Sequence, residues 1–153
     1  MSYGTILDRL VRGTRWVWLS EAARRAAVPA DLDAVMRLET SDRYHAKQGR
    51  TTARIRFDGP SGPVSVYLKR HWSLPLSARL GALIWPRGRH SPAAAEFAHL
   101  ERARTLGIAV PDVVAAGEKI GPWGQLQSFL MVAELRDCLP LHEAIPQLAA
   151  TLP

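Results

Sequence analysis

The sequence predicts an α+β domain: a five-stranded antiparallel sheet with one packed helix, preceded by N-terminal helices. Three stretches carry that prediction. Ala53, Ile55 and Phe57 alternate with Arg54 and Arg56, the period-2 pattern of a half-exposed strand. A Gly/Pro turn, Asp58-Gly59-Pro60-Ser61-Gly62-Pro63, runs straight into the β-branched segment Val64-Ser65-Val66-Tyr67-Leu68-Lys69. Ser91 as N-cap, Pro92 at the first helical position and Gly107 as a C-terminal stop frame a helix over 92–106.

Composition bounds what such a domain can be. The 153 residues are 47% hydrophobic, which suffices for one core and excludes a disordered chain. A net charge of +6 favours acidic partners: nucleotides, anionic lipid surfaces, phosphorylated sugars or nucleic acid. Cys138, the single cysteine, excludes an internal disulfide and a cysteine-only metal cage, and reads as a small buried hydrophobe. The N-terminus carries Asp8, Arg9 and Arg12 without a signal-peptide core, and no apolar run reaches the ~18–20 residues of a membrane span. A reducing, cytoplasmic location is expected, with peripheral contact to a membrane surface.

Residues 1–40 are predicted helical in pieces. Ile6, Leu7, Leu10 and Val11 recur at helical spacing, Trp16 to Ala27 forms a second amphipathic stretch stopping near Pro29, and Asp31 caps a short helix from Leu32 to Leu38. Trp16 and Trp18 beside Arg15 have two readings: a lipid interface, or packing on the domain with the arginines solvated. Next come strands over Arg43–Ala46 and Thr52–Phe57, separated by Gln48-Gly49-Arg50-Thr51, and then the strand ending at Lys69. These three strands make a meander. From Gly59 to Ala95 no residue is acidic, whereas Lys69, Arg70, Arg79, Arg87 and Arg89 are basic. Within that segment Leu76, Leu80, Leu83 and Ile84 form an apolar stripe on a short helix. It reads either as an insertion facing an anionic substrate or membrane, or as a solvated connector with a core-facing stripe.

On the helix over 92–106, Ala93, Glu96, Phe97, Leu100, Ala103 and Arg104 share a face, while Glu101 lies on the polar side. A carboxylate on a buried stripe needs a cationic partner, which selects Glu96 as the partner of Lys69. The alternative is that Glu96 is a partly exposed first-turn acid favoured by the helix dipole. Strands over Val113–Ala116 and Leu126–Ala133 follow, joined by Gly121-Pro122-Trp123-Gly124, then a turn and a short helix from Leu141 to Leu148. The expected divisions are a helical segment over 1–40, the sheet domain over 41–135, and a continuation over 136–153.

The wording and order of several segments resemble one family. Gly49-Arg50-Thr51-Thr52 precedes a strand, Tyr67-Leu68-Lys69-Arg70-His71 ends one, and the basic Pro/Leu/Arg insertion follows. Glu96-Phe97-Ala98-His99-Leu100-Glu101, Leu106-Gly107-Ile108-Ala109-Val110-Pro111 and Ser128-Phe129-Leu130-Met131-Val132-Ala133-Glu134-Leu135 complete the pattern. Together, over residues 35–148, they resemble the lipopolysaccharide core kinases, which phosphorylate Kdo or heptose sugars of the inner core. The resemblance implies the N-terminal, nucleotide-binding lobe of the protein-kinase fold, ATP with Mg2+ as cofactors, and an anionic glycolipid or phosphorylated sugar as substrate at the inner membrane. It implies that Lys69 contacts the α- and β-phosphates and pairs with Glu96. By the same resemblance, the loop from Lys47 to Thr52, with Gly49, Arg50 and Thr51, is expected to cover the phosphates. It further implies that Tyr67 lies near adenine, that Ala133 limits pocket depth, and that Glu134, Leu135 and Arg136 form the hinge.

Three departures sharpen the expectation. The loop has one glycine in place of G-x-G-x-x-G, and Tyr67 stands where ordinary kinases place a small residue. After Glu134 only Asp137 and Glu143 are acidic, neither in an H-x-D or D-F-G-like context. The expected protein is therefore an ATP-binding small lobe with no catalytic residue and no metal ligand in this chain, and incomplete for phosphoryl transfer. The alternative is a non-catalytic kinase-like interaction module at the membrane surface. Nucleic acid is not expected as a partner, because no recognition motif or array of strand-face aromatics is present.

Overall fold

The computed structural model describes residues 14–40, 42–47 (by backbone alone), 49–59, 62–72, 91–121, 126–135 and 145–146. Its strands are β1 (Thr14–Leu19), β2 (Asp42–Lys47), β3 (Arg50–Gly59), β4 (Gly62–His71), β5 (Val113–Ile120) and β6 (Leu126–Ala133). Its helices are α1 (Glu21–Arg25), α2 (Leu32–Arg37) and α3 (Pro92–Thr105). All strand pairs are antiparallel, in the order β1-β5-β6-β4-β3-β2. The expected meander is β2-β3-β4, and α3 crosses over from β4 to β5.

The five expected strands form one antiparallel sheet, and a sixth, β1, extends it beside β5. Trp16 to Leu19, expected as the start of a helix, is this strand, in register from Thr14 opposite Ile120 to Leu19 opposite Ala115. The physical reason is that the sheet is covered on both faces. Trp16 and Trp18 pack towards α3, while Val17 and Leu19 join the core under α1 and α2. A strand apolar on both sides carries no alternation to distinguish it from a helix. The two tryptophans thus pack on the domain, which removes the lipid-interface reading for them. Helix begins only after Ser20, whose Oγ accepts from the Ala23 N–H at 3.1 Å. Asp31 caps α2 as expected, accepting from the Ala34 N–H at 2.9 Å. The expectations for Ile6–Val11, Leu76–Ile84, residues 122–124 and Cys138 lie outside the described residues, as does most of 141–148.

Strand alternation divides the interior into two layers. On one face Val66 and Leu68 of β4 and Phe129 and Met131 of β6 pack with Ala23, Leu32, Val35 and Met36. On the other, Ala116, Leu130 and Val132 pack with Ala93 and Phe97 of α3. The Phe97 ring lies 5.2 Å from that of Trp18 and 6.0 Å from that of Trp16, both tilted. Burying such a side chain is worth about 1.5–3 kcal/mol and fixes where α3 sits. Arg70, buried on the opposite face, ties β4 to α2: its Nη1 donates to the carbonyls of Met36 at 3.1 Å and Leu38 at 2.8 Å. Those are end-of-helix carbonyls, where a cation is favoured.

Candidate functional site

β4 organises the site because alternate residues face opposite layers. Tyr67, Lys69 and His71 point to the α3 side, whereas Val66, Leu68 and Arg70 point away from it. Lys69 Nζ donates to Glu96 Oε1 at 2.5 Å. Their side chains remain 35% and 38% exposed, so the pair contributes little to stability yet is open to an incoming anion. Glu96 lies beyond the first turn of α3, which holds no acid, so the first-turn dipole reading does not account for its position.

Both ends of α3 are tied down. Ser91 Oγ accepts from the Ala94 N–H at 3.0 Å, and the Ser91 N–H donates to Glu118 Oε2 at 2.9 Å. In a capping box an acid three residues into the helix would accept from the N-cap N–H. Here that position is Ala94, and buried Glu118 on β5 supplies the acceptor. At the far end, Arg104 Nη2 donates to Asp112 Oδ1 at 2.7 Å.

The loop residues separate by register. Gly49 takes φ 73°, a left-handed conformation that favours glycine, and its carbonyl accepts from the Trp72 N–H at 2.9 Å. Arg50 lies opposite His71 and Thr52 opposite Lys69, so both share the Lys69 face. Thr51 faces the other layer, where its Oγ1 accepts from Arg70 Nε at 3.3 Å.

At the opposite end of β4, Ala133 and Glu134 are held by side chains and backbone together. Arg54 Nη2 donates to Glu134 Oε2 at 2.7 Å, and the Tyr67 hydroxyl lies 3.4 Å from Oε1. The hydrogen bond from Arg54 holds the Glu134 carboxyl below its usual range, with Tyr67 and Ser65 acting the same way. The Ala133 N–H donates to the Asp112 carbonyl at 2.8 Å and the Glu134 N–H to that of Ser65 at 3.1 Å. Ala133 packs with the α1/α2 layer; the side chain beside Tyr67 on the α3 face is Val132. Leu135 is exposed, and Arg136 lies outside the described residues.

Sequence reasoning passed over His71. It is 7% exposed, and neither ring nitrogen has a hydrogen-bond partner among the described residues. Burial pushes its pKa below the usual histidine value, and the Arg50 and Lys69 charges push the same way against Glu96. Its position two residues after Lys69 was the available signal. Glu118, a lone acid within a strand otherwise rich in small apolar residues, was another.

Fold and site together define an α+β domain with the topology of a kinase-like N-terminal lobe. A solved structure of WaaP in complex with acyl carrier protein shares that fold, with a TM-score of 0.62 and 24% identity over 90% of this chain. The chain spans about half, 48%, of that protein's chain. No protein-family model and no curated protein matches the sequence.

Proposed function

We propose that this chain is the ATP-binding lobe of a kinase of the lipopolysaccharide-core type. The observation that carries the reading is the Lys69–Glu96 pair, joined at 2.5 Å between strand and helix and left open on one side. The fold likeness to WaaP supports it, together with the sequence resemblance to lipopolysaccharide core kinases. In this reading Lys69 holds the α- and β-phosphates, Glu96 orients Lys69, and Arg50 and the Gly49 turn lie over the phosphates. Tyr67 and Val132 flank adenine, and Leu135 and Arg136 supply hinge backbone. Bound Mg2+ would neutralise phosphate charge; among the described residues no group of three His, Cys, Asp or Glu stands together to hold it. The roles assigned are binding roles, and no residue of this sequence is given the transfer step.

The net charge of +6 suits an anionic glycolipid or phosphorylated sugar as the acceptor and peripheral contact with an anionic membrane. No helix among the described residues is long and apolar enough to cross a membrane. A second reading, a kinase-like module that binds a protein partner, is favoured by one observation: the WaaP structure contains acyl carrier protein.

Thermal denaturation in rising Mg-ATP tests the first reading. The wild-type midpoint should climb with ligand concentration, as mass action requires. Lys69→Ala should need at least about tenfold more ATP for the same shift, the equivalent of a lost charge-assisted contact. Equal shifts in both proteins would remove Lys69 from the site.

A further inference from the structure

We propose that His71 is a further binding residue of this site, donating a hydrogen bond to the terminal phosphate of a bound nucleoside triphosphate. The inference rests on the nucleotide-binding reading above and assigns a position within it.

Buried polar atoms nearly always have partners, and leaving one bare costs about 1–3 kcal/mol. His71 has two bare ring nitrogens at 7% exposure. A ligand that supplies the missing partner accounts for that cost. The strand register says which part of the ligand arrives there. The hinge meets β4 at Ser65, where the Glu134 N–H binds, and the α3 face then presents Tyr67, Lys69 and His71 in turn. Same-face residues on a strand stand about 6.8 Å apart. A nucleotide with its base at the hinge and its first phosphates on Lys69 extends its last phosphate towards His71.

The surroundings select an anion. Arg50 is the cross-strand neighbour of His71, and Lys69 is the preceding residue on the same face. Two cations disfavour a metal ion at the imidazole and favour phosphate. They also join burial in keeping the ring neutral, while Glu96 opposes them. A neutral ring still has one N–H to donate, so it adds a directed bond without a third positive charge. The bond from the Trp72 N–H to the Gly49 carbonyl fixes the turn beside this spot.

The test is calorimetric titration, with magnesium, of ADP and of a non-hydrolysable ATP analogue into wild-type, His71→Phe and His71→Gln proteins. Wild type should prefer the analogue. His71→Phe should lose about tenfold of that preference, equivalent to about 1.4 kcal/mol, with ADP affinity unchanged. His71→Gln, which keeps a donor, should recover part of it. Should His71→Phe fail to fold, the wild-type imidazole C–H resonances decide: the analogue should move them and ADP should not. The inference is overturned if His71→Phe retains the preference, if both ligands weaken equally, or if both move the resonance alike. Those outcomes leave the nucleotide-binding reading standing. Failure of the wild-type chain to bind either ligand overturns both.

Discussion

Replacing Glu118 by alanine removes the acceptor that fastens the start of α3 to β5. The Ser91 N–H, 2.9 Å from Glu118 Oε2, is then left in a site where Ser91 is 0% and Glu118 3% exposed, too buried for water to substitute freely. An unmet buried donor costs about 1–3 kcal/mol, a sizeable part of the 5–15 kcal/mol that holds a typical domain together. Ser91 Oγ still caps Ala94, so the helix survives while its attachment loosens. Glu118→Gln keeps a carbonyl acceptor of nearly the same shape, exchanging a charge-assisted bond for a neutral one. Its cost should be smaller by about 1 kcal/mol. Urea unfolding reads both: midpoints should fall in the order wild type, Gln, Ala at unchanged slope. Glu96 rides on the same helix, so Mg-ATP affinity should weaken in that order too. An alanine variant with the wild-type midpoint would refute the attachment, and equal losses for Gln and Ala would refute the role of the acceptor.

Other consequences follow from single sites. A Cβ at Gly117 would stand 2.6 Å from Phe129 Cε1 and 3.2 Å from the Trp16 carbonyl oxygen, with Phe129 fully buried. Gly117→Ala should therefore cost at least about 1–3 kcal/mol of overpacking, read as a lowered urea midpoint. Arg70→Met removes the donors to the Met36 and Leu38 carbonyls and should cost about 2–3 kcal/mol, with early proteolysis within residues 20–40 as a second readout. The pH dependence separates into two windows. His71 has a lowered pKa, so below its unfolded value of 6.5 the unfolded chain takes up a proton that the folded chain resists, and stability should fall as the pH drops. The charges facing it are Arg50, Lys69 and Glu96. His71→Gln should flatten that limb. Asp33, held down by Lys119, and Glu134, held down by Arg54, stabilise above their unfolded values of 3.8 and 4.5, and that contribution disappears only as the pH falls below those values.

What could be read from the sequence depended on how local its cause was. The meander was legible because Arg54 and Arg56 break the apolar run into a period, and α3 because Ser91, Pro92 and Gly107 mark its ends. Glu96 was legible as an acid on an apolar stripe. β1 was not, because helices cover both of its faces and erase the alternation. Ala133 illustrates a one-residue phase: in a strand, a shift of one exchanges the faces, and Val132 takes the position beside Tyr67. Glu118 acts on a residue 27 positions earlier, and the task of Arg70 depends on α2 lying beneath β4, so neither is encoded within its own neighbourhood.

The assignment of Lys69 and Glu96 is tested most directly by a double-mutant cycle on Mg-ATP affinity, measured by calorimetry for wild type, Lys69→Ala, Glu96→Ala and the double variant. If Lys69 holds the phosphates and Glu96 acts by orienting it, Lys69→Ala should weaken binding by at least about tenfold and Glu96→Ala by less. The double variant should then bind no worse than Lys69→Ala alone. Losses that add independently, or ATP bound by Lys69→Ala as tightly as by wild type, would contradict the account.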